Sequence, residues 1–219
     1  MSQLITICTQ NGIVMAADSR ISYYENDGAY YSDNANKVFV TPNNVGISAC
    51  GNAEIDGKRI EFFIKEFIAE HAACDAEEIA NNLLPYFAKL NPELDTTFHV
   101  CGMINEDFLG YRVRTRTGKI FNCNNFFSPC GIIWDGDTYV IDRLLNNYFN
   151  TKSDGTPGSK EMYRQVPWER FVNEDAVEFI KFMMETSIKM QKFHLTKPTI
   201  GGPIRILAIT KTGAKWIEE

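Results

Sequence analysis

The chain begins with SQLITICTQNGIVMAADSR, which is residues 2–20 and follows the initial methionine. A run rich in β-branched residues, 4–9, precedes Asn11-Gly12 and a second apolar run, 12–17. An Asn-Gly pair between two such runs is a strong short-range signal for a β-hairpin. Because both runs are apolar at nearly every position, we expect the hairpin to be covered on both faces.

The residue after Met1 is a serine, which is small enough to permit removal of the methionine. Ser2 would then carry its hydroxyl beside its own free α-amine, so that one residue supplies a nucleophile and a base. We therefore treat Ser2 as a candidate nucleophile. The competing interpretation is a frayed or acetylated N-terminus.

Length and charge exclude several classes of function. The 219 residues suffice for one large domain or two small ones. A net charge of −6 argues against a nucleic-acid-binding surface, which would be basic. No apolar run approaches the roughly 20 residues that span a bilayer, and the N-terminus lacks a signal-peptide pattern. We expect a cytoplasmic protein with neither a nucleic-acid nor a membrane partner.

The cysteines and histidines have no spacing typical of a metal site. The six cysteines include no Cys-x-x-Cys pair, and we interpret them as reduced, buried thiols: Cys8, Cys50, Cys74, Cys101, Cys123 and Cys130. The histidines form no metal-ligand spacing with one another or with a cysteine: His71, His99 and His194. The sequence also lacks a glycine-rich phosphate loop, so we expect no metal or organic cofactor.

Periodicity predicts the remaining elements. Further strands are predicted at 37–41, 45–50, 96–104, 108–115, 119–124 and 203–210, and a last hairpin leads to 215–217. Helices are predicted at 55–71, 76–90, 138–149 and 173–192. Residues 151–160 read as a flexible loop, and the polar, tyrosine-rich segment 22–36 receives no assigned element.

The order of elements is strands, two helices, strands, two helices, strands. Strands that are apolar on both faces fit two sheets packed together, with a pair of helices on each outer surface. We find no domain boundary and no internal repeat, so we treat residues 1–219 as a single α+β domain.

An N-terminal nucleophile depends on other residues. Its amine must be neutral near pH 7 to accept the serine proton, and a free α-amine has a pKa of roughly 7.7–8. A nearby cation or partial desolvation lowers that pKa further, and the cation is usually held by a carboxylate. A hydrogen-bond donor must also meet the developing oxyanion.

Three segments carry a resemblance to a known family. Residues 11–20 read NGIVMAADSR, residues 36–40 read NKVFV, and residues 45–53 read VGISACGNA. In this order they resemble a proteasome-type β subunit of the N-terminal-nucleophile (Ntn) hydrolase superfamily. The stretch from Gly201-Gly202 to Lys215-Trp216 is similar to the last hairpin of that family. The resemblance implies a four-layer αββα sandwich.

The resemblance also implies roles for individual residues. It places the nucleophile on Ser2 and the oxyanion-binding N–H on Gly51. It places the cation on Lys37 and the carboxylate that orients this cation on Asp18, with Arg20 as a supporting residue. The implied reaction is hydrolysis of an amide bond, preferably a peptide bond, by acyl transfer without a cofactor.

The chain departs from the family pattern at three places. The family usually has threonine where this chain has Ser2. Trp134-Asp135-Gly136 replaces a Gly-Ser-Gly segment, which places Asp135 where a serine normally contacts the terminal amine. A carboxylate there would raise the pKa of the amine and favour its charged form. Residues 197–200, KPTI, lack the family's second aspartate.

Substrate and assembly are implied less closely. The resemblance places a substrate pocket near Ile21, Ala49 and Ala53, whose small or apolar side chains favour an apolar group before the cleaved bond. Relatives assemble into rings, so we expect a homo-oligomer, either a ring or a stacked assembly. The sequence identifies no regulatory ATPase.

Alternative interpretations stay open at this stage. The same scaffold could carry a non-proteolytic amidohydrolase or a transpeptidase, or it could be a structural subunit with a decayed site. Asp18 and Arg20 could form a turn ion pair, and Lys37 could be a solvated edge charge. Gly51 could simply end a strand, and Asp135 could belong to an ordinary Asp-Gly turn. The tyrosines of the segment 22–36 suit either a substrate cleft or a subunit contact: Tyr23, Tyr24, Tyr30 and Tyr31.

Overall fold

The structure is a computed structural model of the 219-residue chain. It describes residues 2–25, 28–124, 130–145, 148–151, 157–161, 166–193 and 197–219. His194 and part of the predicted loop at 151–160, residues 152–156, lie outside these ranges.

The described strands are, in chain order, β1 (Gln3–Cys8), β2 (Gly12–Asp18), β3 (Ile21–Glu25), β4 (Gly28–Ser32), β5 (Val38–Val40), β6 (Gly46–Gly51), β7 (Glu54–Ile55), β8 (Lys58–Arg59), β9 (Thr96–Ile104), β10 (Asp107–Arg114), β11 (Lys119–Asn122), β12 (Gly131–Gly136), β13 (Tyr148–Thr151), β14 (Pro157–Glu161), β15 (Ile204–Thr210) and β16 (Gly213–Glu218). The described helices are α1 (Ile60–Glu70), α2 (Ala76–Leu90), α3 (Tyr139–Leu145) and α4 (Asn173–Met190), with short 3-10 turns at Trp168–Arg170 and Gln191–Phe193.

The predicted N-terminal hairpin is confirmed. β1 and β2 pair antiparallel, from Leu4 opposite Ala17 to Cys8 opposite Ile13. Every residue of both strands is buried, which agrees with their continuous apolar sequence. β1 and β2 are the second and third strands of a five-stranded antiparallel sheet with the order β12-β1-β2-β15-β16.

A second antiparallel sheet has the order β11-β10-β9-β6-β5. The two sheets share one hydrophobic cluster, to which Leu4 and Met15 contribute from the first sheet and Val38 and Cys101 from the second. The protein is therefore an α+β structure whose two large sheets meet through a common core.

Two further clusters connect each sheet to helices. Ile47 and Phe98 of the second sheet pack with residues of α1 and α2, including Phe67 and Leu83. The first sheet packs with α3 and α4 through a cluster that includes Ile5, Val14, Ile141, Ile180 and Met184. Helix α2 begins as the sequence predicts, because Asp75 and Glu78 form a capping box at its N-terminus.

Three predicted element boundaries are wrong. The helix predicted from residue 55 begins at Ile60, because residues 54–59 form the small β7–β8 hairpin around Gly57. The helix predicted at 138–149 ends at Leu145, and β13 begins at Tyr148. The loop predicted at 151–160 includes Thr151 and residues 157–160, which belong to the paired strands β13 and β14.

Besides the β7–β8 and β13–β14 pairs, the β3–β4 hairpin and strand β12 were not predicted. The tyrosine-rich segment forms the β3–β4 hairpin, in which Tyr23 lies opposite Tyr30. Strand β12 has no counterpart in the sequence prediction, yet it pairs with β1 from Gln3 opposite Gly136 to Cys8 opposite Gly131. Among the described residues, no helix is long and apolar enough to cross a membrane.

Candidate active site

Ser2 is fixed in place by its backbone. The residue immediately precedes β1 and is only 7% exposed. The N–H of Asp137 donates to the Ser2 carbonyl at 2.7 Å. The interpretation of Ser2 as a frayed terminus is therefore wrong, because both its burial and its backbone hydrogen bond hold it beside the end of β12.

The carboxylate of Asp18 accepts four hydrogen bonds while being 1% exposed. Its Oδ1 accepts the N–H of Gln3 at 2.9 Å and the Lys37 ammonium at 3.0 Å. Its Oδ2 accepts the N–H groups of Arg20 at 3.1 Å and Gly201 at 3.0 Å. Asp18 therefore connects the residue next to Ser2, the lysine and two loops.

Lys37 is a buried cation. Its side chain is 8% exposed, and its Nζ also donates to the carbonyl oxygen of Arg20. Burial lowers the pKa of Lys37, and the charge and hydrogen bond of Asp18 oppose that shift. The alternative of a solvated edge charge is wrong, since the ammonium lies between a carboxylate and a carbonyl.

Gly51 ends β6 in a conformation that other residues rarely adopt. Its φ is +128°, and a Cβ added there would lie 2.1 Å from the carbonyl oxygen of Asp95. The glycine is exposed. Position 51 therefore requires a glycine for two reasons, the close approach of the Asp95 backbone and the positive φ angle.

One cleft of about 260 Å³ collects most of the predicted site residues. Its walls include Ser2, Arg20, Ile21, Lys37, Ala49, Gly51 and Ala53. Asp18 does not line this cleft and lies behind Lys37. The candidate nucleophile, cation and oxyanion donor thus share one cavity with the predicted substrate pocket.

A second cleft of about 380 Å³ begins at the same residues. It shares Ser2, Cys50, Gly51 and Asn52 with the first cleft, and its other walls include Asp95, Thr97 and Gly136. Ser2 and Gly51 therefore lie where two cavities adjoin. A substrate spanning both would present a bond to Ser2.

Arg20 has a different partner from the one suggested by its spacing. Its Nε and Nη2 each donate to Asp33 at 2.7 Å, and its guanidinium lies 4.0 Å from the centre of the Tyr31 ring. A Cβ on Gly201 would lie 2.5 Å from this guanidinium. The interpretation of Asp18 and Arg20 as a turn ion pair is therefore wrong. The guanidinium of Arg20 pairs with Asp33, and Arg20 donates only its backbone N–H to Asp18.

Asp135 does not have the position predicted from the sequence. It lies opposite Leu4, so its side chain points between the two sheets. There it meets His99 Nε2 at 2.9 Å, Arg112 Nε at 2.6 Å and Arg114 Nη2 at 3.1 Å. Burial alone would raise the pKa of Asp135, but His99 and the two arginines lower it overall. Its carboxylate is paired with these three side chains.

His99 completes a chain that resembles a catalytic triad in composition. Its Nδ1 lies 3.0 Å from the Thr6 hydroxyl and its Nε2 faces Asp135. Burial lowers the pKa of His99, against the opposing effect of Asp135. Thr6 and His99 are both 0% exposed, so no substrate reaches the hydroxyl. Thr6, His99 and Asp135 thus form a row of polar contacts between the two sheets.

A second network was also missed. Asp137 Oδ2 accepts the Thr199 hydroxyl at 2.7 Å and the Gln191 amide at 2.8 Å. Gln191 Oε1 accepts the N–H groups of Thr199 and Ile200. Asp137 therefore supplies a carboxylate beside the segment that lacks the expected second aspartate. No local sequence signal identifies it, since Asp137 lies 54 residues before Gln191 and 62 residues before Thr199.

The thiol of Cys50 is an unsuitable nucleophile although it lines both clefts. Burial, with a smaller contribution from the charge of Asp135, raises its pKa to about 12. A thiol attacks as its thiolate, and this form is scarce at neutral pH. All six cysteines lie among the described residues and none forms a disulfide.

Neither the models of known protein families nor the curated proteins include a match to this chain. Among the described residues, no group of three or more His, Cys, Asp or Glu side chains is placed to hold a metal ion.

We predict that Gly136→Ala destabilises the protein more than Gly118→Ala. Both glycines have positive φ, +90° and +61°, but an added Cβ meets the Ser2 carbonyl oxygen at 1.8 Å in the first case and nothing within 4 Å in the second. We expect about 1–2 kcal/mol of backbone strain in either variant and a further ~1–3 kcal/mol for the clash at Gly136. Urea unfolding measures both, and equal losses would contradict the close contact.

We predict that Cys50 resists alkylation at pH 8. With a pKa of about 12, its thiolate fraction, and hence its rate with iodoacetamide, should be on the order of a thousandfold below that of an ordinary thiol. Mass spectrometry of peptides from the folded protein measures the modification, and the same protein in urea is the control, where all six thiols react. Rapid labelling of Cys50 in the folded protein is the opposing result.

Proposed function

We propose that the protein is an N-terminal serine hydrolase that cleaves amide bonds, preferably peptide bonds, after removal of Met1. The observation that carries this proposal is the shared cleft of Ser2, Lys37 and Gly51, with Asp18 holding Lys37 from behind. These residue types supply a nucleophile, a cation and an oxyanion donor, which are the parts that acyl transfer needs.

The proposal includes a four-layer αββα arrangement of the Ntn-hydrolase type. Its support is the distribution of the three hydrophobic clusters, one shared by both large sheets and one connecting each sheet to its own helices. The order of the strands also supports this arrangement. Because β1 lies between β12 and β2, the residue that precedes β1 has a neighbouring strand on each side.

The proposed reaction begins when Met1 is removed and Ser2 acquires a free α-amine. Ser2 Oγ attacks the amide carbonyl carbon, and its proton passes to this amine, directly or through a water molecule. The N–H of Gly51 stabilises the oxyanion of the tetrahedral intermediate. The amine product leaves with a proton, and water hydrolyses the resulting ester at Ser2.

Lys37 acts in this proposal through its charge. A buried ammonium beside Ser2 lowers the pKa values of the α-amine and of the hydroxyl, because it disfavours the charged amine and favours the alkoxide. The pKa of Lys37 is itself lowered by burial, so the charge depends on Asp18, which pairs with it at 3.0 Å.

The position of Asp135 removes one objection from the sequence. A carboxylate against the terminal amine would make that amine a weaker base at neutral pH. Asp135 is instead paired with His99, Arg112 and Arg114. The charge of this carboxylate is therefore largely compensated by its own partners.

The first test is acylation of Ser2. We expect an activated peptide ester to add its acyl mass to the N-terminal peptide of the mature chain, and a peptide amide to be hydrolysed. Ser2→Ala should reduce turnover by at least about a thousandfold, whereas Ser2→Thr keeps a hydroxyl and should retain measurable activity. Intact mass establishes removal of Met1 in each protein. A retained Met1, or full turnover by Ser2→Ala, would refute the mechanism.

The second test separates Lys37 from a general effect of charge. Lys37→Met removes the cation from the cleft, and we expect kcat/KM to fall by at least about a hundredfold, in the range of a lost electrostatic contribution to catalysis. Lys65→Met removes an exposed lysine of α1 and is the matched control, with activity near that of the unaltered protein. Unchanged turnover in Lys37→Met contradicts the role given to this residue.

A further inference from the structure

We propose that Arg59 makes the first cleft selective for an acidic side chain in the substrate, on the residue whose carbonyl Ser2 attacks. This inference deepens the proposed function and depends on it for the orientation of the substrate. The observation behind it is the set of charges that face the cleft.

Among the described residues, the walls of the cleft carry more positive than negative side chains. The charged residues of these walls are Arg20, Lys37, Arg59 and Glu61. The carboxylates that pair with Arg20 and Lys37 are Asp33 and Asp18, and neither lines the cleft. The part of the lining that the structure describes therefore presents three cations and one carboxylate to an entering group.

Arg59 is the least committed of these cations. Arg20 and Lys37 each have a carboxylate within 3.0 Å, whereas Arg59 is 3.9 Å from Glu61. Its hydrogen bonds to the uncharged oxygens of Asn34 and Ser32 are long, at 3.3 and 3.4 Å. The side chain is 33% exposed. An incoming carboxylate would gain a close, charge-assisted partner at little loss to existing contacts.

Glu61 is more committed than Arg59. Its Oε2 accepts the N–H of Asn36 at 2.9 Å, and the residue lies in the first turn of α1. Its negative charge is stabilised there by the positive end of the helix dipole. Arg59 immediately precedes this helix and makes no side-chain cap to it. The guanidinium therefore remains available to a ligand while Glu61 serves the protein.

This charge distribution alters the expectation from the sequence. Ile21, Ala49 and Ala53 suggest an apolar group before the cleaved bond, and they do line the cleft. The sequence gives no indication that Arg59 belongs to the same cavity. Small apolar walls with a cation at the rim fit a side chain that has a short apolar stem and a terminal carboxylate, such as glutamate.

Binding of two capped peptides tests the inference without catalysis. The probes are fluorescent acetyl-Ala-Ala-Glu-Ala-amide and its glutamine counterpart, added to the Ser2→Ala protein, which does not consume them. We expect the glutamate peptide to bind about tenfold more tightly, as one charge-assisted hydrogen bond allows, and the difference to shrink in high salt. Fluorescence anisotropy measures both affinities.

The variants Arg59→Gln and Lys58→Gln, each added to Ser2→Ala, identify the cation. Lys58 is an exposed neighbour that lies outside the cleft lining, so its replacement changes the charge equally and should preserve the preference. Arg59→Gln should reduce the preference to less than about twofold. Equal binding of the two peptides, no binding of either at millimolar concentration, or an unaltered preference in Arg59→Gln overturns the proposal.

Hydrolysis by the mature, unsubstituted chain distinguishes this inference from the function on which it rests. Cleavage without a preference for glutamate contradicts only the role of Arg59 and leaves the hydrolase mechanism in place. Selective binding by Ser2→Ala, without cleavage of either peptide by the mature chain, contradicts the hydrolase mechanism and supports the acidic specificity of the cleft.

Discussion

The buried carboxylate of Asp18 is the constraint on which the site depends. It ends β2 and accepts donors from Gln3, Arg20, Lys37 and Gly201. An ionised carboxylate that is 1% exposed is tolerated because all its hydrogen-bonding capacity is used. Removing one partner of such a pair typically costs about 3–5 kcal/mol. The hydrogen bonds of Asp18 therefore fix three elements relative to one another: the start of β1, the Lys37 side chain and the loop before β15.

Backbone contacts extend this constraint to Ser2 and Gly51, the candidate nucleophile and the candidate oxyanion donor. Gly136 lies so close to the carbonyl of Ser2 that no side chain fits, and Gly51 has the same relation to Asp95. Both have positive φ, so the glycines allow chain directions that side-chain-bearing residues disfavour. Ser2 is positioned by close backbone approach, and this residue lines both clefts.

Short sequence patterns correctly predicted those elements of the fold that depend on residues close together in the chain. The Asn11-Gly12 hairpin and the capped helix α2 follow from turn chemistry and periodicity. Strand β12 was missed because its sequence, GIIWDG, is short and its pairing with β1 spans more than a hundred residues. The partners of Asp135 lie on β9 and β10, 21 to 36 residues earlier in the chain, and no local pattern connects them with it. The family resemblance, and not a local pattern, pointed to Lys37 and Gly51 as site residues. The place of Arg59 in the cleft lining depends on the β7–β8 hairpin, where the sequence prediction had a helix.

The orientation of the ion pairs connects the proposed catalysis with the proposed selectivity. Asp18 and Asp33 do not line the cleft, whereas their partners Lys37 and Arg20 do. Each pair satisfies its buried or half-buried charges, yet the cavity senses mainly the cations, because a charge at the wall interacts more strongly than one behind it. Such a cavity stabilises any anion within it, whether the oxyanion that we propose to form at Ser2 or the carboxylate that we propose the substrate to carry. The requirement that stabilises Asp18 in the interior thus also determines the electrostatic character of the cleft.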